Sequence, residues 1–317
     1  MKATPQKILV TGAAGYIASI VLRQLKERKE GNEVVGIDIR LPTIPIDGVR
    51  YLKADMLEAN WAKLIEAEAP DVVVHLAFVV DPMHDEETMH RINVQGTKST
   101  FKAAAKSAQQ IVCLSSATAY GALPDNDVPL REDAPIRGDQ SSFQYARDKG
   151  LLEHFYRSFQ KAHAELKIVS VRPVIVYGPS VGNYLSRFIY ALPIVPLVRG
   201  LDTPVQFVHE EDVAAVCCEI IRQQKTGAFN VAGDEWLTLA EVCQMARRPT
   251  MRVPRFVLWA MMQLMWKFHF TKLESPPTII DYLSHPWVVN TDRVRDELGY
   301  QMRYSSRDAV EAMIASR

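Results

Sequence analysis

A glycine-rich turn between an apolar run and a helical stretch restricts this chain more than any other feature of its sequence. Residues 7–10 favour a strand and residues 16–29 a helix, with the segment TGAAG at 11–15 between them. Gly12 permits a tight turn, Gly15 lets a pyrophosphate approach the backbone, and the small Ala18 lets the helix pack closely on the strand. The turn indicates a nucleotide-binding βαβ unit, and a purely structural glycine turn is the alternative.

Asp38 separates these two interpretations. It ends the second predicted strand, 20 residues after Ala18. A carboxylate at that position can accept hydrogen bonds from both ribose hydroxyls of an adenosine, and its charge repels a 2′-phosphate. We therefore expect NAD as the cofactor, with NADP as the weaker alternative that the nearby Arg40 allows.

Short β-branched runs alternate with longer helical stretches through the first half of the chain. This alternation favours an α/β fold with a Rossmann-type, doubly wound parallel sheet that helices cover on both faces. The predicted strands are Lys7–Val10, Glu33–Ile37, Val49–Lys53, Asp71–Leu76, Gln110–Ser115 and Lys167–Val171. The predicted helices are Tyr16–Lys29, Trp61–Glu68, Glu86–Ser107 and Ser142–His163.

The alternation breaks after Pro173, where prolines at 179, 193, 196 and 204 interrupt the chain. We predict a nucleotide-binding domain in residues 1–175 and a smaller C-terminal, substrate-binding lobe mainly in residues 176–317, with later segments returning to the first domain. In the second lobe the pattern predicts a helix that opens near Asp212, a strand at Ala228–Val231, a helix near Leu239–Arg247 and an apolar helix in 255–268.

The charge balance points to a small-molecule partner. The chain has 37 Lys and Arg against 37 Asp and Glu, and it has no long basic run. It therefore lacks the electrostatic footprint that nucleic acids or anionic membranes attract. The apolar segment Phe256–Trp266 is too short to span a bilayer, which needs about 20 residues.

Two features predict a cytoplasmic protein. Residues 1–6 are polar and lack the apolar stretch and cleavage site of a signal peptide. The four cysteines, Cys113, Cys217, Cys218 and Cys243, form no C-x-x-C pair, so reduced and buried thiols are expected rather than disulfides or a zinc site.

An ordered set of short motifs runs along nearly the whole chain. The motifs are TGAAGYIA at 11–18, DM at 55–56, HLA at 75–77, NVQGT at 93–97, SSATAYG at 115–121, Tyr145-x-x-x-Lys149, RP at 172–173 with YGP at 177–179, and FVHEEDVA at 207–214. Most of them arise easily by chance, but their order does not. With this set the sequence resembles the extended short-chain dehydrogenase/reductase family, in its NAD-dependent epimerase/dehydratase group.

The resemblance implies a site as well as a fold. Ser116, Tyr145 and Lys149 match the catalytic residues. The implied cofactor contacts are Gly12, Ala14, Gly15, Tyr16, Ile17, Asp38, Asp55, Met56, Leu76, Ala77, Asn93, Tyr145, Lys149 and Pro173, and the implied substrate contacts are Phe78, Thr118 and Tyr177. Asn93 is also expected to stabilise backbone near the site. Helices 86–107 and 142–163 are long enough for an intersubunit four-helix bundle, so a homodimer is expected.

The spacing of Tyr145 and Lys149 has a chemical purpose. Residues four apart on a helix share a face, and an ammonium about 5 Å from a phenol contributes roughly 3 kcal/mol at an effective dielectric near 20. That energy corresponds to about two pKa units, so we expect the phenol to titrate near 8 rather than near 10. By resemblance, Tyr145 exchanges a proton with the substrate oxygen, Ser116 hydrogen-bonds the same oxygen, and Lys149 also holds the nicotinamide ribose.

Two features depart from the sugar-nucleotide enzymes of this group. Their phosphate-clamping arginine is Val205 here, and valine cannot neutralise a phosphate. Arg172, Arg187 and Arg199 are possible substitutes. The second departure is the strongly apolar segment 255–268, for which burial is the first expectation, with an apolar site lining or a partner contact as alternatives.

Other polar clusters favour bland interpretations. His209-Glu210-Glu211-Asp212 is not an H-E-x-x-H motif, so a structural role is expected, with Asp212 beginning a helix and no metal bound. His84 and His90 belong to a polar region, with solvated surface as the main expectation and substrate contact as the alternative.

Three functions remain open from the sequence. The first is an NAD-dependent oxidoreductase that transfers hydride at a secondary alcohol or ketone of a small, fairly apolar substrate. The second is a sugar-nucleotide epimerase or dehydratase that returns the hydride within one turnover. The third is a non-catalytic NAD(P)-sensing protein, which has little need of an intact Ser116, Tyr145 and Lys149.

Overall fold

A computed structural model describes residues 5–182, 184–268 and 275–317. The strands are β1 Lys7–Thr11, β2 Glu33–Asp38, β3 Val49–Lys53, β4 Val72–His75, β5 Gln110–Leu114, β6 Lys167–Pro173, β7 Ile175–Tyr177, β8 Val195–Val198, β9 Pro204–Val205, β10 Phe207–His209, β11 Gly227–Val231, β12 Leu237–Thr238 and β13 Thr250–Val253. The α-helices are α1 Tyr16–Glu27, α2 Trp61–Glu68, α3 Glu86–His90, α4 Thr97–Ala104, α5 Gln144–Ala162, α6 Tyr184–Ala191, α7 Glu210–Gln223, α8 Leu239–Met245, α9 Arg255–Phe268, α10 Ile280–Ser284, α11 Asp292–Leu298 and α12 Ser306–Ala315.

Seven parallel strands form the central sheet, in the order β11-β6-β5-β4-β1-β2-β3. The inner strands are apolar on both faces, as in β4, where Val72, Val73 and Val74 are fully buried. Helices cover both faces of such a sheet, which explains why its strands are continuous apolar runs. The predicted doubly wound fold is confirmed, and the six predicted strands lie within two residues of their observed bounds.

The seventh strand corrects the placement of Ala228–Val231, which we expected in the second lobe. β11 pairs with β6, with Asn230 opposite Arg172. Helix α7 also returns to the first domain, where it packs against α1. This helix begins at Glu210, close to the predicted start near Asp212, and the His209 side chain caps it by accepting a hydrogen bond from the Glu211 amide at 3.2 Å. The return of β11 covers a sheet edge that β6 leaves unpaired.

The predicted single helix 86–107 is wrong in detail. It consists of α3, a π-helical turn at Arg91–Gly96, and α4, which ends at Ala104. The wider turn carries Asn93, whose Oδ1 accepts from the Val79 amide at 2.8 Å while its Nδ2 donates to the Val79 carbonyl at 3.2 Å. Asn93 thus holds the backbone of the segment after β4, as expected. Apolar periodicity does not report a local change of helix type, which is why the sequence missed it.

The second lobe is built from two-stranded pieces. β7 pairs with β10 and β8 with β13 in parallel, while β9 pairs with β12 in antiparallel. Because β7 begins two residues after β6 ends, this lobe starts at the carboxyl edge of the central sheet. That edge is where ligands bind in open α/β sheets.

Helix α9 is confirmed at residues 255–268, but the expectation that it is buried is wrong. Leu258 and Met262 face inward, whereas the side chain of Phe256 is 73% exposed and Trp259, Leu264 and Phe268 are about half exposed. Two inward residues spaced by four give only a narrow packing face. Within the described ranges, no helix combines the length and the apolar character that crossing a bilayer requires.

Candidate active site

A cleft of about 620 Å³ lies at the carboxyl edge of the sheet, where the strand order reverses between β1 and β4. The sequence-predicted residues that line it are Gly12, Gly15, Tyr16, Ile17, Leu76, Phe78, Ser116, Thr118, Tyr145, Lys149 and Pro173. The remaining predicted residues, Ala14, Asp38, Asp55, Met56, Ala77, Asn93 and Tyr177, are not part of its wall. The structure therefore brings the glycine turn and the catalytic candidates into one cavity.

The glycine turn leaves its backbone open to the cleft. Gly12 has a φ of +71°, and a Cβ there would lie 2.7 Å from the Ala77 nitrogen. A Cβ at Gly15 would lie 2.9 Å from the Gly12 oxygen. Helix α1 then begins with no side-chain cap on its first amide groups. Uncapped N–H groups at a helix N-terminus fit a pyrophosphate, so the residues present suit a dinucleotide.

Asp38 stands beside this turn at the end of β2. Its carboxylate accepts hydrogen bonds from the backbone amides of Ala14 at 3.0 Å and Arg40 at 3.1 Å. These bonds fix its orientation and leave lone pairs for ribose hydroxyls. Arg40 lines the same end of the cleft, so a cation is also present there.

Asp55 and Met56 have partners within the protein. Asp55 Oδ1 accepts from the Leu57 amide at 2.8 Å. Met56 is buried against Gly96 of the π-helical turn, where a Cβ would lie 2.5 Å from the Met56 sulfur. Contact of these two residues with a cofactor stays a prediction.

The catalytic candidates come from β5 and α5. Ser116 follows β5, and its Oγ accepts hydrogen bonds from the Thr118 amide at 3.2 Å and the Thr118 hydroxyl at 3.0 Å. Lys149 Nζ donates to the Leu114 carbonyl at 2.8 Å and lies 3.3 Å from the ring centroid of Phe78. The same nitrogen is 5.6 Å from the ring centroid of Tyr145. The three side chains thus share one wall of the cleft.

The expected pKa of Tyr145 is wrong for this structure. Burial raises the pKa of Tyr145 to about 12, although hydrogen bonding to Ser116 acts in the opposite direction. Burial also lowers the pKa of Lys149 to about 7, so its amine is only partly protonated at neutral pH. The prediction from the sequence included the attraction between the phenolate and the ammonium but not the loss of hydration that burial causes for both groups.

A Lys149→Met variant should therefore be more stable than the wild-type protein below pH 7, by about 2–4 kcal/mol in the free energy of unfolding. The unfolded amine keeps its usual pKa of 10.5. Between pH 7 and 10.5 the unfolded chain binds a proton that the folded protein lacks, so the wild type gains stability as the pH rises. The extra stability of Lys149→Met should therefore shrink between pH 7 and 10.5 and vanish above pH 10.5.

Urea unfolding of both proteins at about pH 6.5 and about pH 9.5 measures this difference. Lys161→Met on the exposed end of the same helix is the matched control, and it should show no such pH dependence. An equal advantage for Lys149→Met at both pH values would contradict the burial argument.

The sequence did not point to Asp148, whose carboxylate is buried next to Lys149 in the chain. Asp148 accepts hydrogen bonds from His90 Nδ1 and Gln144 Nε2, both at 2.7 Å, and from Asn93 Nδ2 at 3.3 Å. The network ties α5 to α3 and the π-helical turn. His90 thus contacts protein rather than only solvent. The one sequence signal for this network is the spacing of Gln144 and Asp148 by four.

His84, the other histidine of that region, stacks on Trp266 of α9 with ring centroids 3.7 Å apart. This contact brings α9 against the segment that follows β4.

Glu210 belongs to the H-E-E-D segment, for which the sequence predicts a structural role. Its buried carboxylate accepts from the Tyr16 hydroxyl and from the Ser180 amide, the latter at 3.3 Å to each oxygen. A Cβ on Gly178 would lie 2.4 Å from this carboxyl group, so a larger residue there would displace the carboxylate. Burial and Glu210 together raise the pKa of Tyr16 far above its usual value. Glu210 therefore joins α7 to the start of α1.

The rest of the H-E-E-D segment also has structural partners. Asp212 accepts from the Tyr300 hydroxyl at 2.6 Å and from the backbone amides of Arg303 and Tyr304. Glu211 pairs with Arg23. In the part of the chain that the structure describes, no group of three His, Cys, Asp or Glu side chains is placed to hold a metal ion.

The three arginines considered as phosphate ligands lie elsewhere. Arg172 is buried in an ion pair with Glu153 at 2.6 Å. Arg187 pairs with Asp81 at 2.9 Å, and Arg199 is exposed and lines none of the cavities described here. Val205 is buried on the wall of an apolar cavity next to the cleft. Arg172 and Arg187 are thus held by carboxylates, and neither Arg199 nor Val205 places a cation in the cleft.

Sequence comparisons agree with the motifs. A model of the NAD dependent epimerase/dehydratase family matches residues 8–232. An uncharacterized protein of Mycobacterium tuberculosis is 28% identical over 321 residues, which cover 99% of this chain and 84% of that protein. The UDP-glucose 4-epimerase of Mycolicibacterium smegmatis is 28% identical over 216 residues, which cover 63% of this chain and 65% of that enzyme.

Solved structures share the whole architecture. The UDP-glucose 4-epimerase of Thermus thermophilus in complex with NAD superimposes with a TM-score of 0.75 at 22% identity, over 98% of each chain. The dTDP-glucose 4,6-dehydratase of Bacillus anthracis in complex with NAD gives a TM-score of 0.73 at 15% identity, over 98% of this chain and 96% of that one. At these identities the likeness establishes the fold.

Proposed function

The chain belongs to the NAD-dependent epimerase/dehydratase family, and on this basis we propose that it is an NAD-dependent oxidoreductase acting at the carbon of a secondary alcohol or ketone. One observation carries the proposal. Ser116, Tyr145 and Lys149 line the same cleft as the open glycine turn that suits a dinucleotide. A cofactor-sensing protein without turnover has no need of this arrangement.

The residues of this chain divide the binding of NAD between them. The amides of the glycine turn and of the α1 N-terminus would hold the pyrophosphate, and Asp38 would accept the adenosine ribose hydroxyls. Lys149 would hold the nicotinamide ribose. NAD, when bound, supplies the acceptor or donor of a hydride.

Tyr145 then handles the proton. In alcohol oxidation the deprotonated Tyr145 oxygen would take the O–H proton as the C–H bond breaks and a C=O bond forms, with the hydride going to NAD. In reduction the protonated Tyr145 would donate that proton to the carbonyl oxygen as the hydride of NADH reaches the carbon. Ser116 Oγ holds the substrate oxygen. Because burial keeps the pKa of Tyr145 at about 12 without cofactor, the phenol is protonated at neutral pH and ready to donate its proton to a carbonyl.

A sugar-nucleotide epimerase or dehydratase is the second candidate. Similarity to UDP-glucose 4-epimerases favours it. Such an enzyme keeps NAD tightly bound and shows no net change of cofactor over a turnover. Absorbance of nicotinamide in the purified protein, followed by a screen of UDP-sugars against apolar secondary alcohols and ketones, separates the two. Net NADH formation or consumption supports the oxidoreductase, whereas epimerised sugar without net NADH supports the alternative.

The proposal includes two properties of the whole molecule, a homodimer and a cytoplasmic location. The homodimer is supported by Leu151, an exposed apolar residue on the surface of α5 on which two copies would pair. Sedimentation velocity tests whether the protein is a dimer. Four buried free cysteines support a reducing compartment.

Asp38→Ala should weaken NAD binding and reduce the discrimination against NADP. The substitution removes the acceptor for the ribose hydroxyls and the charge that repels a 2′-phosphate, while Arg40 remains. A loss of about tenfold or more in NAD affinity is expected for a charged hydrogen-bond acceptor. Fluorescence titration with each cofactor measures both affinities, and unchanged values for both would remove Asp38 from the site.

A further inference from the structure

A second cavity, of about 60 Å³, opens beside the active-site cleft. Thr118, Ile175 and Trp287 line both. The Thr118 hydroxyl donates to Ser116 Oγ at 3.0 Å, so the cavity begins one side chain away from the catalytic serine. Its wall continues through Tyr177, Val205 and Phe207. We call this cavity the apolar pocket.

The lining of the apolar pocket is chemically uniform. None of its fourteen described lining residues is Asp, Glu, Lys, Arg or His. The polar atoms of two of its aromatic residues have backbone partners: Trp287 Nε1 donates to the Tyr282 carbonyl and the Tyr282 hydroxyl to the Thr118 carbonyl, each at 3.0 Å. Both rings therefore present carbon rather than hydrogen-bonding groups to the pocket.

Two of the arginines that the sequence offered as phosphate ligands are already engaged. Arg172 is enclosed with Glu153, and Arg187 pairs with Asp81 across the mouth of the cleft. A diphosphate needs cationic or amide donors to offset the loss of its water. The described residues that line the apolar pocket offer no such cation, whereas a hydrocarbon gains free energy by entering it.

We propose that the apolar pocket receives a hydrocarbon group of the substrate. The substrate class is then a secondary alcohol, or its ketone, that carries an apolar substituent next to the reacting carbon and no nucleoside diphosphate. This inference rests on the proposed function, because the roles of Ser116 and Tyr145 fix which end of the substrate faces the cofactor.

A series of methyl ketones from 2-butanone to 2-nonanone, assayed with NADH by absorbance, tests the proposal. With the wild-type protein, kcat/KM should rise about fourfold for each added methylene until the pocket is full, and then level off. UDP-glucose and UDP-galactose should give no turnover. A flat ketone series, or turnover of a UDP-sugar with no response to ketones, overturns the proposal.

The Val205→Phe variant tests whether the apolar pocket causes this rise in kcat/KM. A ring at this buried position fills part of the pocket, so the rise should end at a shorter ketone than in the wild type. Ile44→Phe adds the same ring at a side chain that is 83% exposed, and its series should match the wild type. An unchanged series in a folded Val205→Phe protein contradicts the assignment. If that variant does not fold, the wild-type series still decides the question.

Calorimetric binding of 2-heptanone to the protein with NAD separates this inference from the proposed function. Binding that Val205→Phe weakens and Ile44→Phe does not, with no NADH consumption for any ketone, would support the pocket and refute the oxidoreductase. Turnover of UDP-sugars without ketone binding would support the family's hydride chemistry and refute the pocket.

Discussion

Tyr145→Phe is expected to lower turnover by at least about a hundredfold while NAD binding stays within a few-fold of the wild type. The substitution removes only the oxygen that we propose exchanges the proton. Its ring still packs edge-on against Phe78, with centroids 5.6 Å apart, so the shape of the cleft is preserved. Steady-state kinetics with the best substrate of the screen, and fluorescence titration with NAD, measure the two effects.

A second tyrosine on α5 gives a matched control. Tyr156 lies eleven residues further along the helix, where it is buried and its ring stacks on Phe101 with centroids 5.0 Å apart. Tyr156→Phe should therefore keep its turnover. Full activity of Tyr145→Phe would refute the catalytic assignment, and an equal loss in both variants would point to packing instead of proton transfer.

The glycine turn and the Tyr145 and Lys149 pair could be predicted because their information is local. Strand, turn and helix follow each other within residues 7–27, and the catalytic pair is separated by one helical turn. Short-range spacing fixes such geometry whatever the rest of the chain does. The same reasoning placed six strands of the central sheet.

Features that depend on distant segments were not predictable. The pKa of Tyr145 follows from burial, to which Tyr282, far along the chain, contributes by packing on the neighbouring Phe143. The strand β11 pairs with β6, which lies more than fifty residues earlier in the chain, so local spacing could not reveal the pairing. Sequence patterns give the type of an element but not its neighbours, and both the degree of burial and the charge of a site depend on those neighbours.

Arg172 illustrates the same point, because its sequence context allowed a role in binding phosphate. Its side chain is 1% exposed. It donates to both Glu153 oxygens, to the Tyr120 hydroxyl at 2.7 Å and to the Glu132 carbonyl at 3.0 Å. Burial opposes the ionisation of Glu153, yet the charge and hydrogen bonds of Arg172 lower the pKa of that carboxyl below its usual value. Arg172 thus joins β6 to α5 beneath the cleft.

Arg172→Met should destabilise the protein by about 3–5 kcal/mol, since it leaves the Glu153 carboxylate buried without its cation. This loss is a large part of the free energy of unfolding of a typical protein, which is about 5–15 kcal/mol. In the wild type, Glu153 contributes stability above its unfolded pKa of 4.5 and loses it as the pH falls. In the variant, burial without the cation raises the pKa of this carboxyl, so it takes up a proton already above pH 4.5. The gap between the two proteins should therefore narrow as the pH falls from neutral to 4.5, and narrow further below it as the wild type loses its own contribution.

Urea unfolding followed by circular dichroism measures that gap at neutral and acidic pH. The double variant Arg172→Met with Glu153→Leu should recover at least half of the loss, because replacing a buried pair by apolar side chains of similar volume is often neutral. A phosphate-binding arginine would behave differently. Its loss would leave the free energy of unfolding unchanged and weaken only the binding of a phosphorylated ligand, and that result for Arg172→Met would overturn the structural role assigned to the buried pair.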